Sequence, residues 1–119
     1  MATLDDLARL ALALPAAQVE DHFGGPSYNV GGRAFALHWR PDDRTIFRLP
    51  PHRQELLFEI RPEVFAPVKV GRGVWSYVAL DALDLAELED LIIEAWRGVV
   101  PKRLSRAMDG EANRSRNQA

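Results

Sequence analysis

The sequence predicts an α+β domain in which helices pack on one face of a mainly antiparallel sheet. Apolar residues recur at helical spacing near the beginning, the middle and the end of the chain. Between these segments, apolar and polar residues alternate in short runs that hairpin-type turns connect. Hydrophobic residues make up 47% of the 119 residues, which suits one core and one domain. The predicted architecture is a two-layer α/β sandwich with the order α-β(3)-α-β(2)-α.

The N-terminal half is predicted to form a helix and a three-stranded meander. A helix is expected from Thr3, a good N-cap residue, to Leu14, where Pro15 stops it. The pair Gly31-Gly32 fits a two-residue hairpin, because both positions of a type I′ turn need a positive φ. The expected strands are Tyr28–Val30, Arg33–Arg40 and Thr45–Leu49, and a short extended piece is allowed at Gln18–His22.

The C-terminal half is predicted to add two helices and two strands. A second helix is expected from Pro51 to Ile60. The next segments are Val64–Val70, an edge strand or a loop, and Val74–Leu80, a strand. Pro67 limits the first of these, because proline cannot donate to a ladder. Asp84 and Glu87 have the spacing of a capping box that begins a long helix. Its predicted buried stripe is Leu88, Leu91, Ile92, Ala95, Trp96 and Val99.

Composition limits the classes of protein that the sequence can encode. The chain has no cysteine, which excludes a disulfide scaffold, a cysteine-ligated metal and thiol catalysis. Met1–Asp6 lacks the basic start of a signal peptide, and no apolar run approaches the ~18–20 residues of a membrane span. We therefore expect a cytoplasmic location and no membrane partner. The expected domain covers residues 1–108, and residues 109–119, without apolar periodicity, are expected to form a disordered tail.

The net charge of −2 conceals an uneven distribution along the chain. Residues 81–96 carry six acids and no base, whereas residues 33–80 and 97–119 carry an excess of bases. One interpretation is a solvated acidic helix followed by a basic tail. The other is a basic surface whose positive charge is offset, in the net charge, by the acidic helix.

The chain shows no pattern typical of an enzyme. His22, His38 and His52 have no neighbour at metal-ligand spacing and are interpreted as scattered surface histidines. The serines lack a nucleophile-elbow context, and Asp42-Asp43 has the composition of a turn. The glycine pairs do not precede helices, so they cannot form the usual phosphate cradles. The sequence therefore predicts no catalytic residue, no metal and no cofactor.

Four segments resemble the MmcQ/YjbR family. They are Leu10–Pro15, the glycine-rich Gly24–Ala36, Gly73-Val74-Trp75 with Val78–Asp81, and Leu88–Leu104, which contains Pro101-Lys102-Arg103-Leu104. Arg33 stands where the family usually has lysine, which keeps the charge. The resemblance implies a two-layer α/β fold with the helix and strand order given above. It also implies a predicted DNA-binding protein with a double-wing motif, and it supplies no established catalytic residues.

The alternation of the strands predicts a set of side chains on the helix-free face of the sheet. If Phe35, Leu37 and Trp39 face the helices, their neighbours face the other way. The same parity in the other strands would bring together His38, Arg40, Arg48, Trp75 and Tyr77. Cations beside aromatic rings suit stacked bases and phosphates, but they are also common in protein interfaces. A bulge would change this pattern.

The basic residues after the last helix form a second candidate surface. Bases near a helix C-terminus are favoured by the macrodipole, and they could also contact phosphates. The leading hypothesis is a non-enzymatic DNA-binding module that uses Arg33, Arg40, Arg48, Trp75, Tyr77, Lys102, Arg103 and Arg106. The alternatives are a protein-interaction adaptor or homodimer that uses the open sheet face, and a small-molecule site between the second helix and the sheet.

Overall fold

The computed structural model describes residues 1–107. Its helices are α1 (Leu4–Leu12), α2 (Pro51–Ile60) and α3 (Leu85–Arg97), and residues 102–107 are also helical. Its strands are β1 (Gln18–His22), β2 (Gly25–Val30), β3 (Arg33–Trp39), β4 (Arg44–Phe47), β5 (Phe65–Val70) and β6 (Gly73–Val78). The tail expected over residues 109–119 lies outside the described residues.

The six strands form one sheet in the order β1-β2-β3-β4-β6-β5, and each pair is antiparallel. The predicted α+β class is therefore confirmed. The strand count differs, because β1 pairs with β2 and the order becomes α-β(4)-α-β(2)-α. All five side chains of β1 are exposed, so the strand lacks the apolar alternation by which strands are recognised in a sequence.

Capping boxes begin both α1 and α3; the sequence predicted the one at α3 and, at α1, only Thr3 as the N-cap. The Thr3 hydroxyl accepts from the Asp6 backbone N–H at 3.2 Å, while the Asp6 carboxylate accepts from the Thr3 N–H at 3.0 Å. These hydrogen bonds lower the pKa of Asp6. Asp84 and Glu87 make the corresponding pair at α3. α1 ends at Leu12, two residues earlier than predicted. Pro15 accounts for this, because it disfavours helical geometry in the residue before it.

The core lies between the helices and one face of the sheet. The whole predicted stripe of α3 is buried. At its centre, the Trp96 indole N–H donates to the Pro15 carbonyl at 2.9 Å and ties α3 to the segment after α1. Tyr28 extends the core from the sheet side, and its burial raises the pKa of its phenol, with a contribution from Asp5.

A β-bulge in β3 reverses the alternation that the sequence predicted for this strand. Ala34 pairs with Asn29 and Ala36 pairs with Tyr28, so Phe35 is an extra residue without a partner on β2. Phe35 and Ala36 are both fully buried in the core. After two consecutive inward residues, every later residue of β3 faces the opposite way from its expected side.

The bulge corrects the predicted orientation of three side chains. Leu37 pairs with Ile46 and faces away from the helices, and Trp39 shares its side. His38 pairs with Thr45, on the face that packs against the helices, and it is only 8% exposed. The predictions that Leu37 and Trp39 face the core, and that His38 lies at the surface, are therefore wrong.

Glycine is required in the meander for two reasons: a hairpin with positive φ and a close approach between two strands. Gly31 and Gly32 have φ of +57° and +80°, as the predicted hairpin between β2 and β3 requires. Gly25 is needed for a different reason, because a Cβ there would lie 2.3 Å from the His38 carbonyl oxygen. This close approach fixes the end of β2 against the end of β3.

Candidate functional site

The helix-free face of the sheet is concave. His22 of β1 and Val70 of β5 belong to opposite edges, yet they line the same pocket of about 330 Å³. Leu37 and Ile46, which no helix covers, are only 6% and 5% exposed. The sheet is therefore curled, and its strands shield their own central side chains. We call this pocket the trough; its lining is His22, Leu37, Trp39, Ile46, Val68, Lys69, Val70 and Tyr77.

Two arginines lie over aromatic rings on the concave face. Ile46 pairs with Tyr77. Arg44 in β4 and Arg48, the residue directly after β4, each lie two residues from Ile46 and contact aromatic rings on the same face of the sheet. The guanidinium carbon of Arg44 is 4.0 Å from the centroid of the Tyr77 ring, and that of Arg48 is 6.0 Å from the Trp75 ring. Cation–π contacts of this kind stabilise by about 0.5–2 kcal/mol. They hold both charges beside the trough.

An aromatic cluster forms one wall of the trough. The rings of His22 and Phe23 meet edge to face at 4.7 Å, and Phe23 lies 5.0 Å from Trp39. Phe23 has a φ of +52° in the turn between β1 and β2, and 68% of its surface is exposed. The Arg40 side chain donates to the Gly24 carbonyl at 3.3 Å and so lies beside the same turn. A large apolar ring is thus held in solvent next to a cation.

The charge around the trough is mainly positive. Arg44 and Arg48 lie on or beside it and Arg40 lies at its rim, whereas Glu20 of β1 is an acid on the same face. The acidic run 81–96 belongs largely to α3, which lies in the helix layer behind the sheet. The net charge of −2 therefore combines an acidic helix layer with a more basic sheet face.

The structure brings together half of the residues that the sequence predicted for nucleic-acid binding. Arg48, Trp75 and Tyr77 lie on the concave face, and Arg40 lies at its rim. Four others are exposed elsewhere: Arg33 at the hairpin between β2 and β3, and Lys102, Arg103 and Arg106 on the helical segment after α3. Arg97 holds that segment to α3 by donating to the Ser105 hydroxyl at 2.7 Å.

Several residues of this site do not follow from the predicted elements. Arg44 was assigned to a turn, although its spacing of two from Ile46 places both on one face of a strand. The outward orientation predicted for Ile46 was correct, so the same alternation extended by one step would have found Arg44. The β5 valines and Phe23 have no comparable signal, because the curl of the sheet brings the valines to the trough and ring contacts with His22 and Trp39 place Phe23 beside it.

A second polar group lies at one end of the sheet. His38 Nε2 is 2.9 Å from Asp43 Oδ1, and His38 Nδ1 is 3.2 Å from Thr45 Oγ1. A cavity of about 520 Å³ adjoins these residues. The order of groups resembles a catalytic triad, but their exposure is reversed: the Asp43 side chain is 89% exposed, whereas Thr45 is 5% exposed. This arrangement braces the turn at Asp43, where φ is +52°.

Two classes of site can be assessed over residues 1–107. Within them, no three His, Asp or Glu side chains are grouped so that they could hold a metal ion. The helices of this part are also too short or too polar to cross a bilayer.

The fold and the trough define a small α+β protein whose antiparallel sheet has helices on one face and a concave second face that no element of residues 1–107 covers. The family model of YjbR matches residues 12–98, and the chain belongs to this family, as its motifs predicted. The crystal structure of the Deinococcus radiodurans protein DR2400, with the family-model domain DUF419, is similar over 88% of this chain and 89% of that one. The two share 25% sequence identity, and the TM-score is 0.70. No curated protein matches the chain.

Proposed function

We propose that this YjbR chain is a non-enzymatic nucleic-acid-binding module and that the concave sheet face is its main contact surface. The observation that carries the proposal is the pair of arginines held over Tyr77 and Trp75. A guanidinium stacked on a ring keeps its N–H edge free for bidentate contacts with phosphate. The rings beside it offer surfaces on which bases stack.

Two kinds of side chain on the concave face would contact different parts of a nucleic acid. Arg44 and Arg48 supply positive charge along the concave face and would contact phosphates, which set affinity and position. Trp75 and Tyr77 would contact bases. Their aromatic faces accept any base, so the site supports binding with little sequence preference.

The polar group at the end of the sheet supports a role without catalysis. A nucleophilic hydroxyl must reach a substrate, and its general base must lie beside it. Thr45 is buried behind His38, and the exposed member of the group is Asp43. We therefore assign this group to the stability of the turn between β3 and β4.

The exposed bases outside the trough are proposed as additional phosphate contacts. Lys102, Arg103 and Arg106 project from the helical segment that Arg97 anchors, and Arg33 projects from a hairpin. Each such contact would add to affinity through counterion release, without reading sequence.

The first prediction is a salt-dependent affinity that depends on the concave face. Fluorescence anisotropy at low salt should detect binding of oligonucleotides at tens of micromolar or tighter, on the order of nonspecific binding. The logarithm of the affinity should fall linearly with the logarithm of salt concentration. Replacing Arg44 and Arg48 together with alanine should weaken binding and reduce that slope by roughly 0.7–0.9 for each phosphate that the protein no longer neutralises.

A matched control separates local contact from net charge. Arg9→Ala removes one positive charge, as Arg44→Ala or Arg48→Ala alone does, but Arg9 lies on α1 in the helix layer, beside Asp6. It should leave the affinity and the slope nearly unchanged. A triple Lys102, Arg103 and Arg106 to alanine variant measures the second surface. Absence of binding to single-stranded and duplex DNA at tens of micromolar protein would reject the proposed function.

A further inference from the structure

We infer that the trough accepts an unstacked base of a single-stranded nucleic acid, so that the chain prefers single strands to duplexes. This inference rests on the proposed function and specifies its ligand. It depends on three features of the trough: its closed sides, its apolar floor and the position of its charges.

The sides of the trough restrict what can enter it. Edge strands β1 and β5 both contribute to its lining, through His22 on one side and Val68 and Val70 on the other. The volume of about 330 Å³ is near the lower end for small-molecule pockets, which suits one base with its sugar. A base inside a duplex is stacked and paired, so it must leave the helix before it can enter such a pocket. A single strand offers bases that are already accessible.

The floor of the trough matches the faces of a base. Leu37 and Ile46 supply an apolar surface, and the Tyr77 ring lies beside them. Phe23 and Trp39 extend this surface towards the end of β1, where Phe23 is largely exposed. Aromatic surfaces of this kind bind bases by stacking, whatever their sequence.

The charges lie where the backbone of a bound strand would pass. Arg44 and Arg48 flank the central Ile46 along β4, and Arg40 lies beside the turn that carries Phe23. Phosphates on either side of a bound base could therefore meet a guanidinium. This charge complementarity favours a polyanionic strand as the occupant over an acidic-faced protein surface or a second copy of this chain, whose net charge is −2.

The test compares three probes of about 12 nucleotides, a length within the usual range of single-strand sites. They are a single strand, its duplex, and an abasic strand of the same length. We expect the wild-type chain to bind the single strand at least about tenfold more tightly than the other two at equal salt. The abasic strand carries the same phosphates, so its weaker binding isolates the contribution of the bases.

Variants assign this contribution to the trough. Tyr77→Ala should weaken single-strand binding roughly 5- to 150-fold, the range for loss of one stacked base, whereas Tyr77→Phe should retain binding. Phe23→Ala is a second test that leaves the core intact, because Phe23 is 68% exposed. It should weaken binding to the single strand more than binding to the duplex.

The outcomes distinguish the inference from the proposed function. Equal affinity for the single strand and the abasic strand would overturn the inference, and so would a preference for duplex. Either result would leave the proposed function standing, because nucleic acid would still be bound. Failure to bind any of the three probes would instead remove the proposed function itself.

Discussion

At the scale of single residues, Phe35 decides which side chains form the trough. Phe35 is the extra residue of the bulge, so Phe35 and Ala36 both face the core. As a consequence, Leu37 and Trp39 face the concave side of the sheet. Without the bulge, His38 would replace Leu37 on that face, and the floor would be polar. One inserted residue therefore determines whether the trough suits an apolar ring.

Trp96 and Trp75 should respond very differently to truncation. Trp96 is fully buried in the core, and its indole N–H is bonded to the Pro15 carbonyl. Trp96→Ala should reduce the free energy of unfolding by about 3–5 kcal/mol, because it leaves a large cavity. Trp75 is partly exposed on the concave face, so Trp75→Ala should cost much less stability and should weaken ligand binding.

Urea melts of the two variants, followed by nucleic-acid titrations of Trp75→Ala, test this difference. Equal loss of stability in both variants would show that Trp75 belongs to a packed interior. The concave face would then lose one of its two aromatic partners for arginine.

At the scale of elements, the start of α3 is a junction between two parts of the fold. Glu87 accepts from the Asp84 backbone N–H in the capping box, and its carboxylate also pairs with Arg61 in the loop after α2. The same side chain therefore closes the end of one helix and holds the chain that leads into β5. This contact helps to position β5 as one side of the trough.

Removal of the Asp84 cap should destabilise the domain without changing its ligand contacts. Asp84→Ala leaves the Glu87 backbone N–H without its acceptor at 2.8 Å, and caps of this type are worth roughly 0.5–2 kcal/mol. Asp84→Asn is the matched control, because asparagine caps almost as well. Urea denaturation should show the loss for alanine only. Equal losses in the two variants would mean that the negative charge, and not the cap, is responsible.

Strand β1 forms although its sequence lacks the alternation of apolar and polar residues that is typical of strands. Its five residues are exposed, and backbone pairing with β2 holds them in the sheet. Because β1 is an edge strand, its outer backbone groups have no partner strand among the described residues. Acidic side chains at Glu20 and Asp21 oppose edge-to-edge pairing between copies.

At the scale of the whole molecule, the curl of the sheet decides how the two faces are used. The convex face carries the helices and the core, and no helix of the described part of the chain covers the concave face. Acids gather in the helix layer, while arginines stack on the aromatic residues of the concave face. The molecule therefore has two electrically different sides despite its small net charge.

We expect the ligand-free chain to be a monomer at micromolar concentration. Leu37 and Ile46 at the trough floor are already only 6% and 5% exposed, so contact between two concave faces would bury little further apolar area there. The arginines of one copy would also oppose those of the other. Sedimentation equilibrium measures this directly. A dimer that Phe23→Ala or Trp75→Ala dissociates would instead favour the alternative hypothesis of a protein-interaction surface.

Local patterns in the sequence were enough to predict most elements and the family. Helix caps, the glycine hairpin and the apolar stripe of α3 were all predictable, because each depends on residues a few positions apart. The outward positions of Arg48, Trp75 and Tyr77 also followed from simple alternation within regular strands. The fold class emerged from the order of these elements.

The bulge, the curl and therefore the trough depend on packing between elements. Phe35 and Ala36 are adjacent and both pack into the core between the helices and the sheet, an arrangement that no periodicity encodes. The meeting of His22 with Val70 depends on the twist accumulated over six strands. Local patterns record which side of an element is buried. The packing between elements sets where the exposed sides meet, and in this protein that packing brings Arg44 and Phe23 to the trough.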